Sequence, residues 1–173
     1  MGGMDDIRPS CQFGEINVYA DPIARHAMLE MLPYCFAEHR YPGVPAIQLH
    51  EIHKHEPFTI GDLDIMPIEV MHHDLPILVY RIGALAYITD MKTIDEGELD
   101  YLQGVDTLIV NALRQKPHHS HQTLDEAVTF ARRVGARQTW LIHSSHDIGR
   151  HEEVNASLPS DIQMAYDGQV IEI

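Results

Sequence analysis

The residues of this sequence best suited to chemistry lie in Val70-Met71-His72-His73-Asp74-Leu75-Pro76-Ile77-Leu78-Val79-Tyr80 and in Tyr87-Ile88-Thr89-Asp90. A strand that delivers paired imidazoles into a loop, followed by an apolar run that ends on a carboxylate, is how a fold collects metal ligands from separate strand ends. Histidine is the compositional outlier, with 13 in 173 residues, and the histidines are grouped: at 50, 53 and 55, at 72 and 73, at 118, 119 and 121, and at 143 and 146. Neutral imidazole and carboxylate are standard ligands for zinc, manganese and iron, so the grouping points to a metal site. Taken singly, any of these histidines also reads as a hydrogen-bonded interior residue or a helix cap. His26, His39 and His151 stand alone and carry no metal reading beyond their composition.

Composition narrows the classes. The length and the 45% hydrophobic content fit one soluble α/β domain spanning residues 1–173, with a sizeable core. Twelve Lys and Arg against 26 Asp and Glu give a formal charge of -14, so binding to a nucleic-acid backbone would work against long-range repulsion. Bound divalent ions would reverse that field locally. The opening Met1-Gly2-Gly3-Met4-Asp5-Asp6 has neither the basic nor the apolar region of a leader, and no run approaches the ~18 apolar residues of a membrane span, so cytoplasmic residence is expected. Cys11 and Cys35 lack the number and spacing of a zinc ribbon or a disulfide framework and read as buried free thiols. Neither Gly-x-Ser-x-Gly nor a P-loop pattern occurs.

The elements that must position these side chains follow from local signals. The first fourteen residues read as a loop or a short helical turn. Glu15 to Ala20 alternates as a strand, and Asp21-Pro22 caps a helix running through Met28 and Leu32. Residues 33–45, with three prolines and Gly43, form an irregular loop, either a substrate-side lid or a plain connection. From Ile47 to Ile88 the reading is strands, with turns at Gly61-Asp62 and Gly83-Ala84. A phase shift at Pro67 predicts a bulge or an edge strand. Asp95 to Leu102 is a short acidic helix, and Thr107-Leu-Ile-Val110 a strand buried on both faces. Thr123-x-x-Glu126 is a capping box opening a helix that stops at Gly135. Gln138 to Ile142 is a strand ending in His143-Ser-Ser-His146. A helix over Glu152 to Ser157 precedes two strands, Ile162 to Tyr166 and Gln169 to Ile173, paired around Asp167-Gly168. Strands outnumber helices and helices separate the later strands, which suits a layered α/β sandwich with ligands on loops at strand ends.

Four segments occur in a telling order: His73-Asp-Leu-Pro-Ile-Leu-Val-Tyr80, Tyr87-Ile-Thr-Asp90, the capping-box helix after His121, and Leu141-Ile-His143-x-Ser-His146. Together they resemble the C-terminal two thirds of metallo-β-lactamase-fold hydrolases. The nearest branch contains the cyclic phosphate phosphodiesterase of phosphonate breakdown, with the tRNA 3'-processing endonucleases further off. The closing Leu158-Pro-Ser-Asp-Ile162 and Ala165-Tyr-Asp-Gly168 look like that phosphodiesterase's C-terminus. The resemblance implies an αββα sandwich, incomplete at its N-terminus, and two divalent ions, zinc or manganese. It makes His73, Asp90 and His143 metal ligands, with Asp90 bridging. It makes His121 the candidate acid for the leaving group, beside Asp90 as the second catalytic residue, with His146 and His72 standing behind the ligands.

One departure from the family is large. Its signature His-x-His-x-Asp-His, which supplies two ligands to each metal, does not occur here, and Gly2 to Pro9 resembles what directly follows it. The chain is thus expected to begin a few residues late and to hold one metal ion or none by itself, with dimerisation covering the exposed sheet edge. The expected activity is metal-dependent hydrolysis of a small phosphorylated or cyclic phosphate substrate: the metal pair activates water and holds the phosphoryl oxygens while His121 protonates the leaving oxygen. The alternative is a catalytically silent relative acting as a metal-binding or oligomerising module. RNA processing is a weaker third reading, because the chain is acidic and lacks basic patches with interleaved aromatics.

Overall fold

The computed structural model describes residues 3–172, which divide into two compact units between His53 and Lys54. In the first, a 3-10 helix over Met4–Phe13 leads into strand β1 (Ile16–Ala20), helix α1 (Pro22–Met31) and strand β2 (Ile47–Glu51). The opening segment is therefore helical for longer than a single turn. α1 starts where the sequence indicates: the Asp21 side chain accepts hydrogen bonds from the Ile23 and Ala24 amides, with proline at the first helical position. β1 and β2 pair in parallel, Ile16 beside Ile47, and Leu32, Cys35 and Ile47 form a small core. Both cysteines are free thiols, but only Cys35 is buried and Cys11 is half-exposed; burial, reinforced by the Asp5 carboxylate, pushes the Cys35 thiol up.

The second unit is a seven-stranded sheet in the order β3 (Phe58–Ile60), β4 (Leu63–His72), β5 (Leu75–Ile82), β6 (Leu85–Ile88), β7 (Thr107–Asn111), β8 (Gln138–Ile142), β9 (Ile162–Met164). β3 to β6 form antiparallel hairpins, whereas β6 to β9 run parallel. The parallel strands are connected through helices, including α2 (Leu124–Val134) between β7 and β8 and α3 (His151–Ser157) between β8 and β9. Ile68, Val70, Val79, Ile88, Leu108, Val110 and Leu141 from the sheet pack with Ala127, Phe130 and Ala131 of α2 in one core. Parallel strands place their carboxyl ends on one edge, and in open α/β sheets that edge is where ligands bind.

Of the two alternatives at Pro67 the structure takes the edge position and not the bulge, and the expectation of a closing hairpin is corrected. Pro67 sits in an unbroken register from Ile65 opposite Ile82 to His72 opposite Leu75, so there is no bulge. β3 covers only Leu63 to Ile65, and beyond it the outward amides of Glu69 and Met71 bond to Glu98 and Thr93, so Pro67 lies where no ladder amide is required. The closing hairpin does not form among the described residues. β9 ends at Met164 on the edge beside β8, and Asp167-Gly168 makes a local turn closed by the Gln169 amide on the Tyr166 carbonyl. A turn dipeptide fixes a reversal, but a returning strand also needs a neighbour with which to pair. Ile173 lies outside the described residues.

α2 carries the full capping box: the Glu126 amide donates to the Thr123 hydroxyl and the Thr123 amide to the Glu126 carboxylate, with Gly135 in the left-handed region at the C-terminus. Lys92 Nζ donates to both Glu126 oxygens at 2.9 Å. Burial raises the Glu126 carboxyl, but the Thr123 amide and Lys92 outweigh it and hold it below its ordinary value of 4.5. Its stabilising contribution is present in full above pH 4.5 and is lost as pH falls through the lower folded value. Thr123→Ala is expected to cost about 1 kcal/mol, read as a lower urea midpoint at unchanged slope.

Candidate metal centre

The carboxyl ends of the parallel strands carry the candidate residues. Asp90 follows β6 by two residues, His121 lies on the loop between β7 and α2, and His143 directly follows β8, while His72 closes β4 at the hairpin to β5. One donor atom each from His72, Asp90 and His121 lies within 4.8 Å of the other two. His121 Nε2 is 3.0 Å from Asp90 Oδ1, and His143 Nε2 is 3.4 Å from the same oxygen. The His121 and His143 rings stack with centroids 4.8 Å apart, and His72 meets His121 edge-on at 4.8 Å. Three histidines distant in sequence thus converge on one carboxylate.

His73 is placed differently. His72 pairs with Leu75, so His73-Asp74 is a two-residue turn, and the exposed His73 lies with Nδ1 2.8 Å from the Asp74 carboxylate. Its ring faces His119, with centroids 5.6 Å apart. Within the close donor group, then, the imidazole from the His72-His73 pair is that of His72. His146 is almost fully exposed beside Asp147 and does not join the group. His118, His119 and His121 form a continuous set of rings on one loop, and the His118 imidazole is pushed below its ordinary value first by desolvation and then by His119, Arg114 and His121.

Two residues of the group, Asp90 and His143, also stand out in the backbone. Among the described residues, the non-glycine positions with positive φ are His55, His73, Asp90 and His143, at +64°, +57°, +57° and +59°. Side chains rarely adopt this conformation, which costs roughly 1–3 kcal/mol and persists where surrounding contacts over-determine it; such outliers gather at functional sites. His73, Asp90 and His143 are the three ligands expected from sequence, whereas His55 is bonded to the buried Glu98 at 2.8 Å and stacked on Tyr101.

Hydrogen bonding fixes the tautomer of His121. Asp90 as a carboxylate only accepts, so Nε2–H of His121 donates to it, which leaves Nδ1 to accept from the Ser120 hydroxyl at 3.0 Å. Burial pushes the Asp90 carboxyl up, but the hydrogen bonds from His121 and Thr89 and the neighbouring His143 outweigh it and hold the group below its ordinary range. Two groups here carried no signal in the reading of the ligands. Ser120 is a buried residue flanked by histidines, and Asn111 ends β7 with its side chain on the Met91 backbone. A polar residue closing the apolar run Leu108-Ile109-Val110 was the available sign of the second, because buried polar groups are the informative exceptions.

The donor set fits a divalent ion: two imidazoles and a carboxylate within mutual reach, with a third imidazole against the same carboxylate, match the chemistry of a three-ligand catalytic zinc or manganese site. A cleft of about 380 Å³ opens beside His143, walled by Ser144, Met164, Tyr166 and Asp167. Among the described residues no helix is long and apolar enough to cross a membrane.

Comparison with known proteins agrees with this geometry. The family model described as the beta-lactamase superfamily domain matches residues 1–144. An octanoyltransferase of Porphyromonas gingivalis is 39% identical over 169 residues, which is 97% of this chain but 34% of that protein. The crystal structure of a new diphosphatase from the PhnP family superposes with a TM-score of 0.86 at 34% identity, over 96% of this chain and 63% of the diphosphatase. The short form of human tRNase Z shares the fold alone, with a TM-score of 0.70 at 17% identity over 99% of this chain and 72% of the nuclease. The chain therefore spans about a third of its curated relative and less than two thirds of the diphosphatase. By the family match over most of its length and by its α/β architecture, this chain belongs to the beta-lactamase superfamily domain family and has the metallo-β-lactamase fold.

Proposed function

We propose that this chain contributes the metal-binding half of a phosphoesterase that hydrolyses a small phosphodiester or diphosphate. The observation that carries the reading is the convergence of His72, Asp90, His121 and His143 on one edge of the sheet, in a chain 34% identical to a diphosphatase. His72, Asp90 and His121 hold a divalent ion, and His143, against the same carboxylate, completes the group. When bound, a zinc or manganese ion supplies Lewis acidity towards water and the phosphoryl oxygens. Asp90 brings the negative charge that retains a cation, and Thr89 Oγ1, donating to Asp90 Oδ2 at 3.0 Å, orients that carboxylate. As a ligand His121 would use an unprotonated ring nitrogen; kept off the ion, its Nε2–H on Asp90 would instead be placed to protonate a leaving oxygen, so the two roles exclude each other. The cleft beside His143 receives the organic part of the substrate, with Tyr166 offering a ring face and Asp167 a hydrogen-bond acceptor.

A second reading rests on the curated relative. Its name describes acyl transfer by a protein about three times as long as the matched segment, so the segment could serve that protein as a metal-binding module without phosphoesterase activity. One experiment separates the two. Metal content per chain is measured by elemental analysis after gel filtration, with hydrolysis of bis-p-nitrophenyl phosphate and of p-nitrophenyl octanoate followed in added zinc or manganese. The phosphoesterase reading expects at least one metal per chain and turnover of the phosphodiester. Substoichiometric metal with no phosphodiester turnover would sink it, and turnover of the octanoate alone would favour acyl chemistry.

A further inference from the structure

We propose that Asn111 is the positioning residue of the metal centre, holding Asp90 against His121 through the backbone of Met91; the link to metal binding rests on the functional reading above. Asn111 closes β7 and is fully buried. Its Oδ1 accepts from the Met91 amide at 2.8 Å and its Nδ2 donates to the Met91 carbonyl at 2.9 Å, so one side chain satisfies both backbone groups of the residue that follows Asp90. The same Met91 carbonyl accepts the Gln122 amide at 3.2 Å, and Gln122 follows His121. Asp90 and His121 are therefore each one residue from a single backbone carbonyl, and that carbonyl is pinned by Asn111. The opposite side of the strand reaches the third element, since Asn111 is in register with Ile142, directly before His143.

The clamp answers a specific need. Asp90 is held at φ +57°, a conformation that a free turn would relax, and relaxation would swing its carboxylate away from His121 Nε2. A hydrogen-bonding pair on both sides of Met91 over-determines the turn where a single bond would leave it a hinge. An apolar residue at 111 would leave the buried Met91 amide without its partner, so the turn would rearrange to find one. Asn111 does not touch the ion or the substrate; it acts through Met91.

The test compares wild type, Asn111→Ala and Leu108→Ala, the last a buried position on the same strand whose truncation lowers stability without reaching the Asp90 turn. Zinc affinity is read by competition with a chromogenic chelator. The His121 imidazole is read in the metal-free protein by long-range proton–nitrogen NMR, which reports whether Nε2 carries the proton. Asn111→Ala is expected to weaken zinc binding about 10- to 100-fold, the usual effect of losing a group that orients a ligand, and to turn the His121 pattern into an average of tautomers. Leu108→Ala is expected to keep both wild-type readings despite its lower melting temperature. A wild-type His121 pattern in Asn111→Ala, or its equal loss in Leu108→Ala, overturns the proposal. If wild type itself binds no zinc, the metal reading falls and the imidazole pattern still decides the role of Asn111. Should Asn111→Ala fail to fold, Asn111→Asp keeps the shape and the acceptor for the Met91 amide while removing the amide donor, and the same NMR reading applies.

Discussion

Asp90→Asn is expected to lose zinc affinity by more than about a hundredfold while unfolding at nearly the wild-type urea midpoint. The two halves of this result have separate causes. Groups that merely orient a ligand already contribute 10- to 100-fold, so removing the charge of a direct ligand must cost more. Asparagine is nearly the size of aspartate, is among the few residues enriched at positive φ, and keeps one acceptor oxygen for His121 Nε2–H, while its NH2 takes the place of the oxygen facing Thr89 Oγ1, a hydroxyl that can turn to accept. The fold therefore loses little. Asp90→Ala should lose the metal equally but also destabilise by about 1–2 kcal/mol, because alanine at φ +57° carries the steric penalty with no side chain to offset it. Chelator competition and urea denaturation on the same preparations check both. Equal zinc affinity in wild type and Asp90→Asn would remove Asp90 from the site.

The contrast between these two variants shows where function has shaped the backbone. Aspartate and histidine are both among the side chains enriched in the left-handed region, so Asp90, His73 and His143 occupy it at less cost than most other residues would. Strain at three of the residues expected as ligands means that the turns at the sheet edge are built for the direction of a side chain rather than for local ease.

How much of this was legible follows from the physics of each signal. The helix from Thr123 to Gly135 could be read because capping and periodicity are local, and each was satisfied by residues within four positions of one another. The strand ends carrying Asp90, His121 and His143 were legible through the ordered segments that resemble the family. Which of His72 and His73 enters the close group was not, because it depends on a register of one residue: pairing His72 with Leu75 leaves His73 in the turn, and a slip would exchange them. The returning strand after Gly168 failed for a related reason, since Asp-Gly encodes a reversal but not a partner. Asn111 escaped because its role is a hydrogen bond to a residue twenty positions away, and no local pattern reports that distance.

His121 leaves two roles open to measurement, and a single variant separates them. His121→Ala is expected to lower hydrolysis of a phosphodiester with an alkyl leaving group by about 10²–10⁴-fold, the range for loss of a general acid, and to lower hydrolysis of a p-nitrophenyl ester far less. The reason is the leaving group: p-nitrophenolate departs without a proton, whereas an alkoxide does not, so only the second reaction needs the proton held on Nε2. Were His121 chiefly a metal ligand, as its place with His72 and Asp90 also allows, its loss would release metal and slow both substrates alike. Metal content measured beside the two rates decides between them: retained metal with leaving-group dependence assigns the acid, and lost metal with uniform slowing assigns the ligand. The Ser120 hydroxyl provides the internal check. It bonds Nδ1 and so keeps the proton on Nε2, and Ser120→Ala should reproduce the leaving-group dependence in weaker form if His121 is the acid.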